Sequence, residues 1–444
     1  MKASLTYTER DASGPAVLRF SAPPSEDRTP AHFIGVVDVS ESMLEGGKLV
    51  NVKHCLSLLL NFLTPNDEFS MISFGDEARS IVKAVKTDVT AKPMLETAIN
   101  SLKTHGCTNL SAGLGLAREI LEASRGSALK PTLLVLTDGH ANRGESRVPE
   151  LRAIVSRMRE LYPSVSMAFI AYGTEHNADL MKVFVEDTGG SYSIVETLEG
   201  AALAMGSALG GAISCAAQNV VLELPAGSTV EGPYTITDSK ITLGDVYAGA
   251  ETLLLLNLPA GECTLRGMTM PLLDPFTLPI TDIRTDTARN VDVDLARLRF
   301  KCSSIFKGLR SQTLADLDAQ IASFAQALED PLLAGHPVTD MLKGELASIK
   351  SAVEEIRNHG VSNRIYSQLV QHEVYTATTR GTVRPIRQVS FARSASPGDP
   401  GSPPPTVGSA AADFADEMSP AAPPQQQYIA RAMRQRTTPA APSP

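Results

Sequence analysis

The residues best suited to chemistry in this sequence are three clusters of carboxylates and hydroxyls. Asp38-Val39-Ser40-Glu41-Ser42 follows one apolar run, and Gly106-Cys107-Thr108-Asn109-Leu110 precedes a helix-like segment. The third cluster, Leu136-Thr137-Asp138-Gly139, ends another apolar run. Among these residues, two carboxylates (Asp38 and Asp138) and three hydroxyls (Ser40, Ser42 and Thr108) are expected to serve one site. Such hard oxygen ligands suit Mg²⁺, with Ca²⁺ or Mn²⁺ as substitutes.

We expect the hydroxyls of Ser40, Ser42 and Thr108 to bind such an ion directly. Asp38 and Asp138 would bind it through water, or one of them directly. An ion that keeps much of its positive charge attracts a further anion, so an Asp or Glu side chain of a partner protein can fill the vacant position. Taken singly, each of these residues is explained equally well as a helix cap or a turn residue.

Bringing the three clusters together requires a parallel sheet. Residues 32–39 and 132–136 are nearly continuous apolar runs, as in buried parallel strands. Leucines, with Val52, recur at three- and four-residue steps over 49–63, as on one face of a helix. This alternation predicts an α/β fold with a doubly wound, mainly parallel, Rossmann-like sheet. Ligands bind outside the carboxyl ends of the strands in such sheets. Further strands are predicted at 69–74, 80–85, 165–172 and 192–195, and further helices at 93–102, 110–123, 148–162, 178–186 and 198–213.

The strings FIGVVDVSESM, GCTNLSAGLGLA and LLVLTDGHAN resemble the von Willebrand factor A (VWA) domain with its metal-ion-dependent adhesion site. The resemblance covers residues 31–215. It implies that Asp38, Ser40, Ser42, Thr108 and Asp138 serve the metal. One departure is His105-Gly106-Cys107, where relatives often carry paired glycines, and a side chain at Cys107 would narrow the freedom of this loop.

The wider arrangement is similar to intracellular members of this family, in which the VWA domain interrupts a β-sandwich and a helical segment follows. Residues 1–30 hold two short strands that would complete a sandwich with residues 216–285, with the VWA domain, 31–215, inserted between them. Residues 286–376 are predicted to be helical. Residues 377–444 are rich in Pro, Ala and Ser and are predicted to form a disordered tail.

Two further groups of residues are candidates for contact with other proteins. The first, here called the rim, surrounds the expected ion and consists of Glu41, Met43, Cys107, His140 and Asn142. Within it, Cys107 is expected as a small packed side chain rather than a reactive thiol. The second group lies in the tail, where Ser390, Ser394 and Ser396 resemble kinase substrates and the prolines at 403–405 could engage an SH3 or WW domain.

Composition excludes several classes of function. The net charge of −9 and the aromatic content of 5%, without Trp, disfavour a nucleic-acid partner. No apolar run is long enough for a transmembrane helix, and the start of the chain lacks a signal core. The five cysteines form no C-x-x-C pair, so a zinc site built from thiolates is not expected. Reduced, mostly buried thiols in a cytoplasmic protein are the expectation.

These observations predict a non-enzymatic, metal-dependent scaffold or adaptor that captures an acidic side chain of a partner. One alternative is a magnesium-dependent hydrolase, with Lys48 or Arg143 as the cationic clamp that such chemistry needs. The other, by resemblance alone, is an adaptor in ubiquitin transfer. Some proteins of similar architecture are ubiquitin ligases with a RING finger, and others carry a self-splicing module. This chain has neither a RING cysteine pattern nor a self-splicing module, so ubiquitin-ligase activity and self-splicing do not carry over to it.

Overall fold

The computed structural model describes residues 2–7, 16–22, 29–213, 215–232, 234–248, 251–259, 261–270, 274–284, 291–309, 311–360, 365–367 and 369–370. These residues fall into two compact units. The described residues from 29 to 213 form the α/β unit, and those before and after it in the chain form the flanking unit. Among the described residues, no helix combines the length and the apolar character needed to cross a membrane.

The elements are numbered in chain order across both units. The strands are β1 (Lys2–Tyr7), β2 (Ala16–Ser21), β3 (Ala31–Asp38), β4 (Glu68–Phe74), β5 (Ala78–Lys86), β6 (Lys130–Thr137), β7 (Ser166–Tyr172), β8 (Ser191–Val195), β9 (Cys215–Glu223), β10 (Thr229–Glu231), β11 (Lys240–Tyr247), β12 (Glu251–Asn257), β13 (Thr264–Thr269), β14 (Pro275–Pro279) and β15 (Thr281–Arg284). The α-helices are α1 (Lys48–Phe62), α2 (Lys92–Asn100), α3 (Leu110–Ala123), α4 (Val148–Leu161), α5 (Ala178–Thr188), α6 (Leu198–Ile213), α7 (Val291–Gly308), α8 (Leu314–Leu328) and α9 (Pro337–His359).

The α/β unit is built on one sheet of strand order β5-β4-β3-β6-β7-β8. All neighbouring strands run parallel except β5, which pairs antiparallel with β4 at the edge. The prediction of a doubly wound α/β fold is therefore confirmed. Both faces of the sheet are covered, because Phe33 and Val37 of β3 join the core that includes α1 and α6, while Val36 packs against Gly113 of α3.

Gly113 shows how closely helix and sheet approach each other on the α3 face. A Cβ atom at this position would lie 2.8 Å from the ring of Phe74 and 3.0 Å from a methyl group of Val36. Only a residue without a side chain allows α3 to pack at this distance. The approach matters for function because α3 begins directly after the Thr108 cluster.

The flanking unit contains two sheets, ordered β10-β12-β2-β1-β15 and β11-β9-β13-β14. β2 lies between β1 and β12, so strands from before and after the α/β unit share one sheet. Leu18 and Leu254 of the first sheet share a buried core with Leu222 and Leu265 of the second, as in a β-sandwich. Helices α7, α8 and α9 enclose a core of their own.

Several details differ from the expectations. β10, β14 and β15 are three to five residues long, too short for the residue pattern to predict, and β14 also begins and ends with proline. A 3₁₀-helix at Glu41–Gly47 follows the first cluster. The tail, 377–444, lies outside the described residues, together with Ser390, Ser394, Ser396 and the prolines at 403–405. Beyond residue 360, the segment predicted to be helical (286–376) is described only at 365–367 and 369–370, where it is helical.

His32 of β3 is a buried histidine held between two hydroxyls. Its Nδ1 lies 3.2 Å from Oγ of Ser124, and its Nε2 lies 2.8 Å from Oγ of Ser70. The Ser124 hydroxyl already donates to the carbonyl of Ile120, so this pattern assigns the proton to Nδ1 of a neutral ring. Burial lowers the pKa of His32 from 6.5 to about 4.

We expect His32 to make the stability of the protein depend on pH. Because the folded pKa lies below the unfolded one, its contribution is complete above pH 6.5 and is lost as the pH falls toward 4. At pH 5 the loss amounts to about 2 kcal/mol of unfolding free energy. Urea unfolding at pH 7 and pH 5 measures it, and His32→Gln should remove this part of the pH dependence.

His54→Gln is the matched control, since His54 is a half-buried histidine of α1. This variant should keep the pH dependence of the wild type. If both variants lose the same amount of stability between pH 7 and pH 5 as the wild type, the effect does not come from His32.

Candidate metal centre

The carboxylate of Asp38 lies at the carboxyl end of β3 and is fully buried. The backbone N–H and the hydroxyl of Ser40 both donate to its Oδ1, at 2.9 and 2.6 Å. The hydroxyl of Thr137, the last residue of the neighbouring strand β6, donates to its Oδ2 at 2.5 Å. Asp38 is thus held by neutral donors on both oxygens, and these hydrogen bonds stabilise its negative charge without cancelling it.

Ser40 and Ser42 continue this network outward from Asp38. The two hydroxyl oxygens are 3.1 Å apart. Because the Ser40 hydroxyl already donates to Asp38, it accepts the hydrogen bond from Ser42. Ser40 is buried, whereas Ser42 is half-buried at the start of the 3₁₀-helix, so the network leads from the core toward the surface.

The loop that carries Thr108 is fixed beside the first cluster by backbone hydrogen bonds. The N–H of Glu41 donates to the carbonyl of Gly106 at 3.1 Å, and the N–H of His105 donates to the carbonyl of Val39 at 2.7 Å. Thr108 is buried, and its hydroxyl makes no hydrogen bond with the part of the chain that the structure describes. The hydroxyl therefore retains both of its lone pairs for another ligand.

Asn142 ties the Thr108 loop to the loop that follows β6. Its side-chain oxygen accepts from the N–H of Thr108 at 2.9 Å, and its own N–H donates to the carbonyl of Thr108 at 3.1 Å. Asn142 had been assigned to the rim. The structure shows an exposed residue that also positions Thr108.

Asp138 follows Thr137 at the end of β6 and is fully buried. Nζ of Lys48, the first residue of α1, lies 3.0 Å from its Oδ2. The N–H of His140 approaches its Oδ1 at 3.4 Å. In contrast to Asp38, Asp138 is therefore paired with a charged group of the chain itself.

The electrostatics of Asp38 reflect its burial. Removal from water raises the pKa of this carboxyl to about 6, and repulsion by Asp138 acts in the same direction. The hydrogen bonds from Ser40 and Thr137 oppose the rise. Two neighbouring buried carboxylates form a site whose charged state a nearby cation would stabilise.

The expected rim is only partly exposed. Glu41, Cys107 and His140 are exposed, and the ring of His140 contacts the carbonyl of Glu175 at 2.5 Å. Met43 is fully buried in the core of the α/β unit, so it is unavailable to a partner. The prediction that Met43 belongs to the rim is therefore corrected. The 3₁₀-helix turns Met43 inward and leaves its neighbour Leu44 72% exposed.

Cys107 also differs from its expected packing. It had been expected as a small packed side chain, but it is the exposed member of the five cysteines, none of which forms a disulfide. Its N–H donates to Asp76 at 3.3 Å. The same carboxylate accepts from the guanidinium of Arg143 at 2.6 Å, so Arg143, one candidate clamp for hydrolysis, is engaged in an ion pair.

The donor set fits a hard divalent cation held mainly by hydroxyls. Within the described ranges, no three His, Cys, Asp or Glu side chains come close enough to hold a metal, so a site here depends on Ser and Thr oxygens. Ser40, Ser42 and Thr108 would supply those oxygens, and Asp38 and Asp138 the negative charge. Oxygen donors of this kind suit Mg²⁺ better than they suit Zn²⁺.

Comparisons with known proteins agree with this fold. Residues 33–140 match the von Willebrand factor type A domain family. The solved structure of a von Willebrand factor type A protein from Catenulispora acidiphila superposes with a TM-score of 0.58 at 16% identity, covering 84% of this chain and 93% of that one. The ArnB paralog VWA2 from Sulfolobus acidocaldarius gives a TM-score of 0.53 at 15% identity, covering 86% and 98%. The chain therefore contains a VWA domain.

Similarity in sequence is partial. The chain is 24% identical over 250 residues to the uncharacterized protein YfbK of Escherichia coli, covering 53% of this chain and 42% of that protein. It is 30% identical over 172 residues to inter-alpha-trypsin inhibitor heavy chain 4 of Mus musculus, covering 36% and 17%. The chain thus spans less than half the length of these relatives.

Thr137 and Lys48 are the site residues that sequence reasoning did not assign. Thr137 stands in the third cluster, and its position at the end of a strand adjacent to β3 is the signal that would have predicted its contact with Asp38. Lys48 had been considered only as a clamp for hydrolysis. No spacing rule links it to Asp138, which lies 90 residues further along the chain.

We expect Thr137→Val to destabilise the protein. The substitution removes a donor from the buried Asp38 carboxylate and an acceptor from the N–H of Gly139, which bonds to the same hydroxyl at 2.9 Å. The expected loss of unfolding free energy is about 1–3 kcal/mol. Urea unfolding in the presence of EDTA measures it without a contribution from bound metal.

Thr132→Val on the same strand is the matched control. Thr132 is equally buried, but its hydroxyl has no hydrogen-bond partner in the described part of the chain. Replacing an unpaired buried hydroxyl by a methyl group should leave stability unchanged or raise it. Equal losses in the two variants would show that β-branched packing, and not the bond to Asp38, is responsible.

Proposed function

We propose that this protein is a metal-dependent protein-binding scaffold whose VWA domain captures an acidic side chain of a partner. The observation that carries the proposal is the pair of buried carboxylates, Asp38 and Asp138, set beside the hydroxyls of Ser40, Ser42 and Thr108 at one edge of the sheet. Neutral hydroxyl ligands do not offset the positive charge of a bound divalent cation. A carboxylate from another protein supplies the missing charge and an oxygen ligand.

The surroundings of the site favour binding over bond breaking. The exposed residues Glu41, Cys107 and His140 lie in the same loops and offer side chains for selecting a partner. Hydrolysis would need a positioned base and a free cationic clamp. Lys48 and Arg143, the two clamp candidates, are paired with Asp138 and Asp76. VWA domains commonly mediate protein–protein interactions, which supports a binding function over hydrolysis.

We expect Asp38→Ala and Thr108→Ala to weaken metal binding while the fold is retained. Asp38→Ala removes a negative charge and Thr108→Ala removes an oxygen ligand, and the expected loss of affinity for Mg²⁺ or Mn²⁺ is about tenfold or more in each case. Titration calorimetry measures this affinity directly. Thr97→Ala is the matched control for Thr108→Ala, because Thr97 lies on α2 and its hydroxyl donates to the local carbonyl of Pro93.

Partner capture is the second measurement for the same variants. Full-length tagged protein should retain a set of proteins in Mg²⁺ that EDTA releases, and both Asp38→Ala and Thr108→Ala should lose that set. Proteins retained equally in EDTA and by both variants would contradict the proposal. Circular dichroism and thermal melting in EDTA show whether the variants remain folded.

A further inference from the structure

The ammonium group of Lys48 is a positive charge built into the metal centre by the chain itself. Its Nζ lies 3.0 Å from Oδ2 of Asp138, and the two side chains are 14% and 0% exposed. This contact is shielded from solvent, unlike the ion pair of Arg143 with Asp76, whose side chains are both about half exposed. Shielding strengthens the interaction, because fewer water molecules screen the two charges.

The position of Lys48 on its helix indicates that the contact is specific. Lys48 is the first residue of α1, where the partial positive charge of the helix terminus disfavours a cation, and no acidic residue in the first turn compensates it. Asp138, on another element, provides the compensation. Gly47, the residue before α1, adopts a left-handed backbone conformation with φ of +69°, and the helix begins directly after it.

The turn after β7 leaves room for the lysine side chain. A Cβ atom on Gly173 would lie 3.0 Å from Cε of Lys48, so the lysine stem packs directly against this glycine. The φ of Gly173 is +82°, a conformation that other residues rarely adopt. Three separate elements, α1, β6 and the turn after β7, therefore define the position of one ammonium group.

This ammonium changes the charge that a metal ion meets. Asp38 and Asp138 contribute two negative charges, and Lys48 contributes one positive charge, which leaves one net negative charge among these three groups. Glu41 and His140 nearby are exposed, so solvent screens their contributions. Without Lys48, the same oxygen donors would present two net negative charges to the ion.

We propose that Lys48 is a tethered counter-charge that weakens the binding of the divalent cation and leaves the bound ion with positive charge for the partner's carboxylate. This inference rests on the proposed function and deepens it, because it assigns the balance between metal affinity and partner affinity to one residue. Affinity for hard cations rises with the number of charged ligands. A neutralised ion, in turn, attracts an additional carboxylate less strongly.

Lys48→Met tests the inference, since Met keeps the length of the stem and removes the charge. Binding of Mn²⁺ alone to the full chain, followed by the electron paramagnetic resonance signal of the free ion, should become about tenfold tighter or more. Excess acetate, as the simplest carboxylate, should tighten Mn²⁺ binding to the wild type more than to Lys48→Met.

Lys53→Met is the matched control. Lys53 lies on the same helix and donates to the carbonyl of Asn100 in an exposed contact. This variant should bind Mn²⁺ with the affinity of the wild type. Thermal melting in EDTA shows that both variants are folded, and Mn²⁺ should raise the melting temperature of Lys48→Met by more than that of either other protein.

The outcomes separate this inference from the proposed function. If the wild type binds Mn²⁺ and Lys48→Met binds it equally or less tightly, the counter-charge role is overturned and the proposed function stands. If only Lys48→Met binds, the counter-charge role is supported and metal-dependent capture by the wild type is overturned. If neither protein binds, both proposals are overturned.

Discussion

The burial of two carboxylates side by side at the end of a parallel sheet is the constraint on which the rest of this site depends. Charged groups removed from water must be compensated by hydrogen bonds or by opposite charge. Asp38 receives only neutral donors, and burial raises its pKa to about 6. Asp138 receives an ammonium group. The difference between the two leaves negative charge at the edge of the sheet, which is the physical basis for a cation site.

The sheet produces this arrangement by connectivity. β3 and β6 are parallel neighbours, so Asp38 and Thr137 end at the same level and the Thr137 hydroxyl reaches the carboxylate. The Thr108 loop is added by hydrogen bonds to Val39 and Glu41. These contacts join residues that are far apart in sequence, and they follow from strand order and the position of each strand end.

Those features are also the ones that the sequence reveals. The nearly continuous apolar runs of β3 and β6 predict buried parallel strands, and α3 begins at Leu110 as expected because the side chain of Asn109 caps it, accepting from Ala112 at 3.1 Å. The polar clusters could be placed because each follows or precedes such an element. Short edge elements such as β14 were missed, since a five-residue strand that begins and ends with proline carries too little periodicity.

Contacts made by single side chains across the fold are not encoded in any local pattern. Met43 sits next to the Asp38 cluster in sequence, but the 3₁₀-helix turns it into the core. The long side chain of Lys48, at the start of α1, passes close to Gly173 in the turn after β7 on its way to Asp138. The absence of a side chain at Gly173 leaves room for it. Both depend on the exact path of the backbone between β3 and α1, which residue periodicity does not determine.

A site that captures a carboxylate through an ion must satisfy two opposing requirements. Negative charge from the protein holds the ion, but each added charge reduces what the ion can offer to a partner. In the proposed site, the hydroxyls of Ser42 and Thr108 would hold the ion without adding charge, and Lys48 would offset one of the two carboxylate charges. The balance between the two requirements would thus be distributed over neutral ligands and a lysine. It follows that a substitution can strengthen metal binding and weaken partner binding at once, so the two affinities must be measured separately.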